Sequence, residues 1–483
     1  MERLSFTLED AFYEYPCREM LQQFAPEVQV VFNDPEAENR IDVAVGAAQL
    51  SLTLWSGKEQ ILSQKYPLEK DKPLDKDGLK GFLYLFLCAH FGRTLDWGIL
   101  TGIKPVKMIH ALLRGGKSPK AAMDAMKADF MISDKKLRLI TDIAQGEMPY
   151  IYPLDSRRVS VYIGVPICIA KCSYCSFVST VADKAGCLQS AYLENLCREI
   201  RDTGAFLERQ GMILDTLYIG GGTPSVFDAA QLETLLACVD EAFDQSKLRE
   251  YTFESGRPET TTPEKLAVMK AHGVGRICLN PQSMNKVTLE AVGRRYSPED
   301  ICRVMGEIRQ AGFDAVNMDL ILGLNHESQD DFMHSLEAVL AMTPENITVH
   351  SLAVKKGSAI KQATGRHVEN PYPPEFYDVV QARLQSAGYH PYYLYRQKYT
   401  QGNGENVGYS LAGRDGIYNI LMMAEKQSII GIGAGSSGKL YIAEQDRFER
   451  VFTVKDVRTY NERYSEIFEK KMNHYRQWVT QGL

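Results

Sequence analysis

Apolar and polar positions change their spacing partway along the chain. From Val159 onward, short apolar runs alternate with amphipathic stretches at intervals of roughly 30 residues, the pattern of strands joined by helices. The runs that predict strands are Val159–Gly164, Leu214–Ile219, Glu250–Glu254, Arg276–Asn280, Ala315–Leu320 and Ile347–Ser351. These repeats predict an α/β fold built as a partial (β/α)6 barrel.

The residues before this alternation predict accessory structure. Apolar runs at Leu4–Leu8 and Val28–Phe32 predict strands, and Ile41–Leu54 predicts one or two more. Helical spacing of apolar residues follows from Lys76 to about Gln145. We therefore expect three regions, namely an α+β and helical accessory region at 1–150, a barrel core at 151–365 and a C-terminal region at 366–483 that closes the active site.

Composition and charge exclude several classes of protein. The chain has 483 residues, 45% of them hydrophobic and 24% charged, which is typical of a globular protein with a large core. Its net charge of −6 argues against a nucleic-acid-binding surface. It has no apolar run of about 18 residues, and its acidic N-terminus does not fit a signal peptide. We expect a cytoplasmic protein without a membrane span.

Three cysteines follow the first predicted barrel strand. Cys168, Cys172 and Cys175 have C-x3-C-x2-C spacing, in a chain whose other cysteines are scattered. Clustered thiolates suit an iron–sulfur cluster or zinc, because soft ligands select these metals. A four-iron cluster on three cysteines leaves one iron open for chemistry. Zinc would need a fourth ligand, for which Cys187 is the candidate, and three thiols without metal are the remaining alternative.

Polar residues stand where the other predicted strands end, the position that carries functional groups in barrels. Gly220–Gly222 follow the second strand and let a ligand approach the main chain. Glu254, Gln282 and Asp319 end the third, fourth and fifth strands. A buried carboxylate is costly without a partner, so these residues either form ion pairs or bind a ligand. Arg294 suits bidentate binding of a carboxylate.

Together these motifs resemble a known family. The cysteine loop, with Tyr174 just before its last cysteine, is similar to that of the radical S-adenosylmethionine (SAM) superfamily. Tyr162, GGGTP at Gly220–Pro224, NMDLILGL at Asn317–Leu324 and GIGAGSSG near the end resemble the oxygen-independent coproporphyrinogen III oxidase branch. Within that branch the chain is most similar to the HemZ-type coproporphyrinogen dehydrogenases. The resemblance implies a radical SAM barrel with an N-terminal α+β/helical domain and a C-terminal extension.

The resemblance also implies the site residues. A [4Fe-4S] cluster would be held by Cys168, Cys172 and Cys175. SAM bound to the cluster would contact Tyr162, Gly221 and Glu254. Positions that touch a second SAM in a relative are matched here by Tyr174, Gly222, Thr223, Gln282, Arg294 and Asp319.

The segment Gly433–Gly438 satisfies the dinucleotide pattern G-x-G-x-x-G. However, the following sequence KLYIAEQDRF predicts a strand, whereas dinucleotide binding requires a helix there. We therefore interpret the segment as a glycine-rich wall that closes the SAM pocket, with Ser437 near the adenosine.

The implied reaction is the oxidative decarboxylation of coproporphyrinogen III propionates to vinyl groups by a 5′-deoxyadenosyl radical, which forms protoporphyrinogen IX for haem biosynthesis. It requires a tetrapyrrole substrate and a low-potential electron donor such as flavodoxin or ferredoxin. One departure is Phe177, which stands where a relative has a fourth cysteine and which we expect to pack against the cluster. Two alternatives stay open: a haem-degrading radical SAM methyltransferase, and a haem chaperone, whose HNxxYW-type signature is replaced here by YNILMM at Tyr418–Met423.

Overall fold

The chain divides into two units, Met1–Asp142 and Ile143–Leu483. The computed structural model describes residues 2–69, 73–102, 104–177, 179–324, 327–355, 357–360, 372–397, 400 and 404–480. The predicted α/β barrel fold is confirmed in the second unit, and each unit has its own sheet. The three-region division of the chain stays a prediction.

The first unit contains a five-stranded sheet and a series of helices. Its strands are β1 (Arg3–Thr7), β2 (Gln29–Phe32), β3 (Asn39–Val45), β4 (Gln49–Ser56) and β5 (Glu59–Pro67), in the order β2-β1-β3-β4-β5. Its helices are Glu14–Phe24, Lys76–Phe91, Pro105–Arg114, Pro119–Phe130 and the start of Asp134–Ile151. β5 was not predicted, because as an edge strand it buries few side chains and its sequence is mostly polar.

The second unit is organised around an eleven-stranded sheet. The strands of this unit are β6 (Arg158–Val165), β7 (Ile167–Cys168), β8 (Thr180–Val181), β9 (Ile213–Gly221), β10 (Glu250–Gly256), β11 (Arg276–Leu279), β12 (Ala315–Leu322), β13 (Asn346–Ser351), β14 (His390–Arg396), β15 (Glu405–Ser410), β16 (Ser428–Ile432), β17 (Ser437–Ile442) and β18 (Arg447–Phe452). The order in the large sheet is β14-β15-β13-β12-β11-β10-β9-β6-β16-β17-β18. β6 and β9 to β13 are parallel neighbours and match the predicted barrel strands.

Helices connect and cover these strands. They are Ala182–Arg209, Ala229–Ala242, Pro263–Ala271, Lys286–Ala291, Pro298–Ala311, Gln329–Ala341, Pro374–Ser386, Ile417–Ala424, Val457–Glu462 and Tyr464–Thr480. Several begin with reciprocal caps. At Asp228, for example, the side chain accepts from the Gln231 N–H, and the Gln231 side chain accepts from the Asp228 N–H. Within the described ranges, no helix combines the length and apolar character needed to cross a bilayer.

The C-terminal stretch completes both edges of the large sheet. β15 and β14 extend it antiparallel beyond β13, while β16 lies parallel to β6 at the other side. β17 confirms the strand predicted after the glycine-rich segment. The C-terminal ends of the parallel strands lie at one edge of the sheet, which we call the rim, and most of the predicted site residues lie at or near it.

Candidate active site

The cysteine loop is closed at its base by main-chain bonds. β6 ends at Val165, and after Pro166 the short strand β7 pairs in parallel with β8 on the far side of the loop. The Thr180 N–H donates to the Pro166 carbonyl at 2.9 Å. The loop that carries the three cysteines is thus tied together where it leaves the sheet.

The glycines after β9 let that strand pack directly against the start of the loop. The Gly222 N–H donates to the Val165 carbonyl at 2.8 Å, and the Thr223 N–H donates to the Ile167 carbonyl at 2.8 Å. A Cβ at Gly222 would lie only 2.4 Å from the Ile167 carbonyl oxygen. Glycine is therefore required at this position. The predicted residues Thr223 and Cys168 also meet here, with Oγ1 and Sγ 3.1 Å apart.

The Cys172 thiol is buried among cationic and phenolic groups. Arg257 Nη2 donates to Cys172 Sγ at 2.9 Å, and Tyr174 and Arg294 also hydrogen-bond with this thiol. Burial raises the pKa of Cys172, but the positive charges of Arg294 and Arg257 outweigh burial and lower it. The surroundings favour the thiolate, the form that binds metal. Arg257 was missed by the sequence analysis.

The donor set fits an iron–sulfur cluster. Cys168 and Cys172 are buried, whereas Cys175 is half-buried, and burial raises the pKa of Cys175. Among the residues that the structure describes, no three His, Cys, Asp or Glu side chains converge on one metal ion. A cubane does not need such convergence, because each thiolate binds a different iron. The Cys187 side chain, the fourth zinc ligand considered above, lies outside the described residues, so that alternative stays a prediction.

Two of the predicted SAM contacts are bonded to each other. Glu254 Oε2 accepts from the Gly221 N–H at 3.0 Å, and Oε1 accepts from the Tyr218 hydroxyl at 2.5 Å. Burial raises the pKa of Glu254 to about 6, even though the hydrogen bond from Tyr218 lowers it. This carboxyl group titrates near neutral pH at the rim of the sheet.

Tyr162 belongs to a stack of three tyrosines. Its ring lies 6.0 Å from that of Tyr218 and 6.4 Å from that of Tyr418, and the Tyr218 and Tyr418 centroids are 4.5 Å apart. Burial raises the pKa of Tyr162 above its ordinary value. The Tyr418 hydroxyl is buried and has no hydrogen-bond partner among the described residues. The sequence analysis did not assign Tyr218 or Tyr418 to the site.

Asp319 lies in a polar network on the neighbouring strands. Its Oδ1 accepts from Asn317 Nδ2 at 2.8 Å, and its Oδ2 lies 3.6 Å from His350 Nε2. Burial raises the pKa of Asp319, but the electrostatic interaction with the nearby His350 outweighs burial, and the pKa lies below the ordinary value. The carboxylate therefore stays ionised in the interior and can accept further hydrogen bonds.

Gln282 and Arg294 leave polar atoms unpaired. Gln282 has a φ of +69°, a conformation that costs free energy for a residue other than glycine. Its main chain bridges to β12, where the Gln282 N–H donates to the Asp319 carbonyl at 2.8 Å. Oε1 of Gln282 and Nε of Arg294 are buried without partners in the described part of the chain. Both atoms are available for a hydrogen bond to a ligand or to water.

The glycine-rich segment packs beside the same rim. Gly433 has a φ of +87°, and a Cβ there would lie 2.6 Å from the Gly164 carbonyl oxygen. A Cβ at Gly435 would lie 4.0 Å from Pro166 Cβ. Ser437 follows at the start of β17, where it pairs with Phe452. Within the described residues, its side chain makes no hydrogen bond to another predicted site residue, so the adenosine contact stays a prediction.

Phe177 is 68% exposed on the protein surface. Its packing against a cluster stays a prediction. The Cys175 N–H donates to the Cys172 carbonyl at 3.1 Å, which closes a tight turn within the loop. Phe177 lies two residues beyond this turn.

Comparison with protein families finds one matching domain, which contains most of the predicted site residues. The Radical SAM superfamily matches residues 162–339. This range begins at Tyr162 and includes the cysteine loop and the rim residues as far as Asp319.

Individual relatives extend the similarity beyond that domain. The oxygen-independent coproporphyrinogen-III oxidase-like protein HemZ of Bacillus subtilis is 38% identical over 404 residues, which are 82% of this chain and 80% of that protein. The heme chaperone HemW of Mycobacterium tuberculosis is 32% identical over 275 residues, 55% of this chain and 69% of that protein. The structure of HemN from Escherichia coli, coproporphyrinogen III oxidase, superposes with a TM-score of 0.51 at 20% identity, covering 67% of this chain and 73% of that chain.

Proposed function

The chain belongs to the radical SAM superfamily and, within it, to the oxygen-independent coproporphyrinogen-III oxidase-like proteins, and we propose that it oxidatively decarboxylates coproporphyrinogen III. Two propionate groups become vinyl groups, and the product is protoporphyrinogen IX. The observation that supports this most directly is the buried, cationic environment of Cys172 beside a rim of unpaired polar atoms. The similarity to HemZ over 82% of the chain favours this substrate class.

We assign the cofactors to the residues gathered at the rim. Cys168, Cys172 and Cys175 hold a [4Fe-4S] cluster, and SAM binds at its open iron. When bound, the cluster and SAM supply a 5′-deoxyadenosyl radical. The protein contributes the positioning of substrate and the exclusion of water and oxygen.

The rim residues suit the polar groups of SAM. Glu254 offers a carboxyl group to the amino group, next to the Gly221 main chain that it already bonds. Asp319 stays ionised beside His350 and suits ribose hydroxyls. Oε1 of Gln282 and Nε of Arg294, which are unpaired among the described residues, can bond to further polar groups of SAM. Gln282, Arg294 and Asp319 match positions that touch a second SAM in a relative, so these contacts serve one SAM or are divided between two.

A second SAM molecule would also meet Tyr174, Gly222 and Thr223, the other residues that match those positions. The N–H groups of Gly222 and Thr223 already donate to the Val165 and Ile167 carbonyls. The contacts of these two residues with a ligand are therefore made by the Thr223 side chain or by carbonyl oxygens. Tyr174 hydrogen-bonds with Cys172 and so lies against the cluster side of the site.

The barrel interior suits a tetrapyrrole. The stacked rings of Tyr162, Tyr218 and Tyr418 provide flat aromatic surface, against which a macrocycle can pack. We propose that a low-potential donor such as flavodoxin or ferredoxin reduces the cluster.

Product analysis under anaerobic conditions tests this function. Reconstituted protein with reduced donor, SAM and coproporphyrinogen III should form 5′-deoxyadenosine and, once an electron acceptor is supplied, vinyl products. It should carry about four iron and four sulfide per chain. Cys172→Ser should lose the cluster and the products, whereas Cys302→Ser, at an exposed cysteine outside the loop, should retain both.

The similarity to HemW supports a second candidate, a haem chaperone. In that case the protein binds haem stoichiometrically and coproporphyrinogen III stays unchanged with every donor and acceptor pair. A haem-degrading methyltransferase would instead yield S-adenosylhomocysteine and a methylated or ring-opened tetrapyrrole. Either outcome, without decarboxylation, would replace the proposed reaction.

A further inference from the structure

Arg257 reaches the cysteine loop from a different strand. It lies one residue beyond β10, and its side chain is 3% exposed. Nη2 donates to Cys172 Sγ at 2.9 Å and to the Ala170 carbonyl at 3.1 Å. The Thr261 hydroxyl donates to the Arg257 carbonyl at 2.8 Å, which fixes the main chain from which the guanidinium extends.

In the described part of the chain, the one carboxylate that pairs with Arg257 lies at a long distance. The nearest ion pair joins Nη1 to Glu259 Oε1 at 3.6 Å, and Glu259 is 28% exposed. A buried cation is costly unless an anion and hydrogen-bond acceptors surround it. Cys172 Sγ lies closer to the guanidinium than the Glu259 carboxylate does. A negative charge on this sulfur therefore compensates the positive charge of Arg257 best.

A cationic hydrogen-bond donor at a cluster ligand changes the redox behaviour of the cluster. Reduction adds one electron and makes the cluster more negative. A nearby positive charge and an N–H donor to the sulfur stabilise the reduced state more than the oxidised state, and the reduction potential rises. The cluster then accepts its electron from a weaker reductant.

We propose that Arg257 is a positioning residue that orients Cys172 and raises the reduction potential of the cluster. This inference rests on the proposed function, since it requires a cluster on the three cysteines. Arg294 also contacts Cys172, but it is assigned to SAM. Arg257 is outside the set of SAM contacts, and its effect on the potential can be measured without SAM.

The test is an anaerobic redox titration of the reconstituted protein without SAM, with dithionite as the one-electron source and electron paramagnetic resonance of the reduced cluster as the readout. For Arg257→Gln we expect the ratio of reduced to oxidised cluster at a fixed potential to fall about tenfold, a shift of about 59 mV to lower potential. Arg257→Lys retains the positive charge but not the forked pair of hydrogen bonds. The reduction potential of its cluster should therefore also fall, but by less than in Arg257→Gln. Arg303→Gln, on an exposed helix surface, should leave the potential unchanged.

The outcomes separate this inference from the proposed function. If the wild-type protein binds no cluster, the proposed function fails. If both Arg257 variants fold, bind a full cluster and keep the wild-type potential, the role of Arg257 is overturned while the function stands. If Arg257→Gln does not fold or binds no cluster, the inference is judged on Arg257→Lys alone. A wild-type reduction potential in Arg257→Lys, or loss of its cluster, overturns the inference.

Discussion

The Gly221 N–H donates to Oε2 of Glu254 at 3.0 Å, and this bond joins the C-terminal ends of β9 and β10. The family resemblance in the sequence implies that both Gly221 and Glu254 contact SAM. The structure shows that the carboxyl group accepts hydrogen bonds from both the Gly221 main chain and the Tyr218 hydroxyl.

This pairing predicts a pH-dependent stability. Burial raises the pKa of Glu254 from 4.5 to about 6, so the folded protein holds this proton more tightly than the unfolded chain. The stabilisation is full below pH 4.5 and is lost as the pH rises through about 6. Relative to Glu254→Gln, the wild-type free energy of unfolding should fall by about 2 kcal/mol across this range. Urea unfolding of the metal-free protein at several pH values measures it.

The matched control for this experiment is Glu290→Gln, on the exposed side of the helix Lys286–Ala291. This variant should follow the wild-type pH profile. An identical profile for Glu254→Gln and wild type would show that Glu254 titrates in the folded protein as it does in the unfolded chain.

Asp319→Asn should weaken SAM binding and leave the cluster intact. The carboxylate accepts from Asn317 and lies near His350, so it is held ionised and oriented. A hydrogen bond to a charged group is worth about 1.5–3 kcal/mol, which corresponds to roughly 10- to 100-fold in affinity. Equilibrium binding of SAM to the reconstituted protein tests this, with iron content measured in parallel.

Asp314→Asn is the control, because Asp314 is exposed near the start of the same strand. It should bind SAM as the wild type does. Unchanged SAM affinity in Asp319→Asn together with a lower melting temperature would favour the other interpretation, in which Asp319 only pairs with His350.

The sequence predicted the parallel strands because each is a short apolar run that ends in glycine or a polar residue. β16 was not recognised as part of the sheet, since SIIGI carries no local sign that it pairs with β6, more than 260 residues earlier in the chain. Arg257 was missed for a related reason. A buried arginine cannot be told from a surface one until its acceptors, Cys172 and Ala170, are in place.

Gly222→Ala should distort the cysteine loop. The added Cβ would lie 2.4 Å from the Ile167 carbonyl oxygen, and the main chain must shift to relieve the contact. Overpacking of this kind costs about 1–3 kcal/mol. We expect a lower melting temperature and less iron per chain after reconstitution.

Gly306→Ala provides the opposite control. Gly306 lies within the helix Pro298–Ala311, and a Cβ there meets nothing within 4 Å. Alanine should stabilise that helix by about 0.5–1 kcal/mol and leave the iron content unchanged. A Gly222→Ala protein with wild-type stability and iron content would show that β9 and the cysteine loop can move apart without loss of stability or of the cluster.

Phe177→Cys restores the thiol that a relative carries at this position, and the exposure of Phe177 now decides the expected result. Because 68% of the side chain is exposed, its removal opens no cavity, and the free energy of unfolding should change by no more than about 0.5 kcal/mol. Phe253→Ala, at a fully buried ring, should instead cost about 3–5 kcal/mol. We expect no gain in vinyl product from Phe177→Cys, since residue 177 lies at the exposed surface and not among the buried thiols. A clear increase in decarboxylation would show that a thiol at residue 177 reaches the substrate.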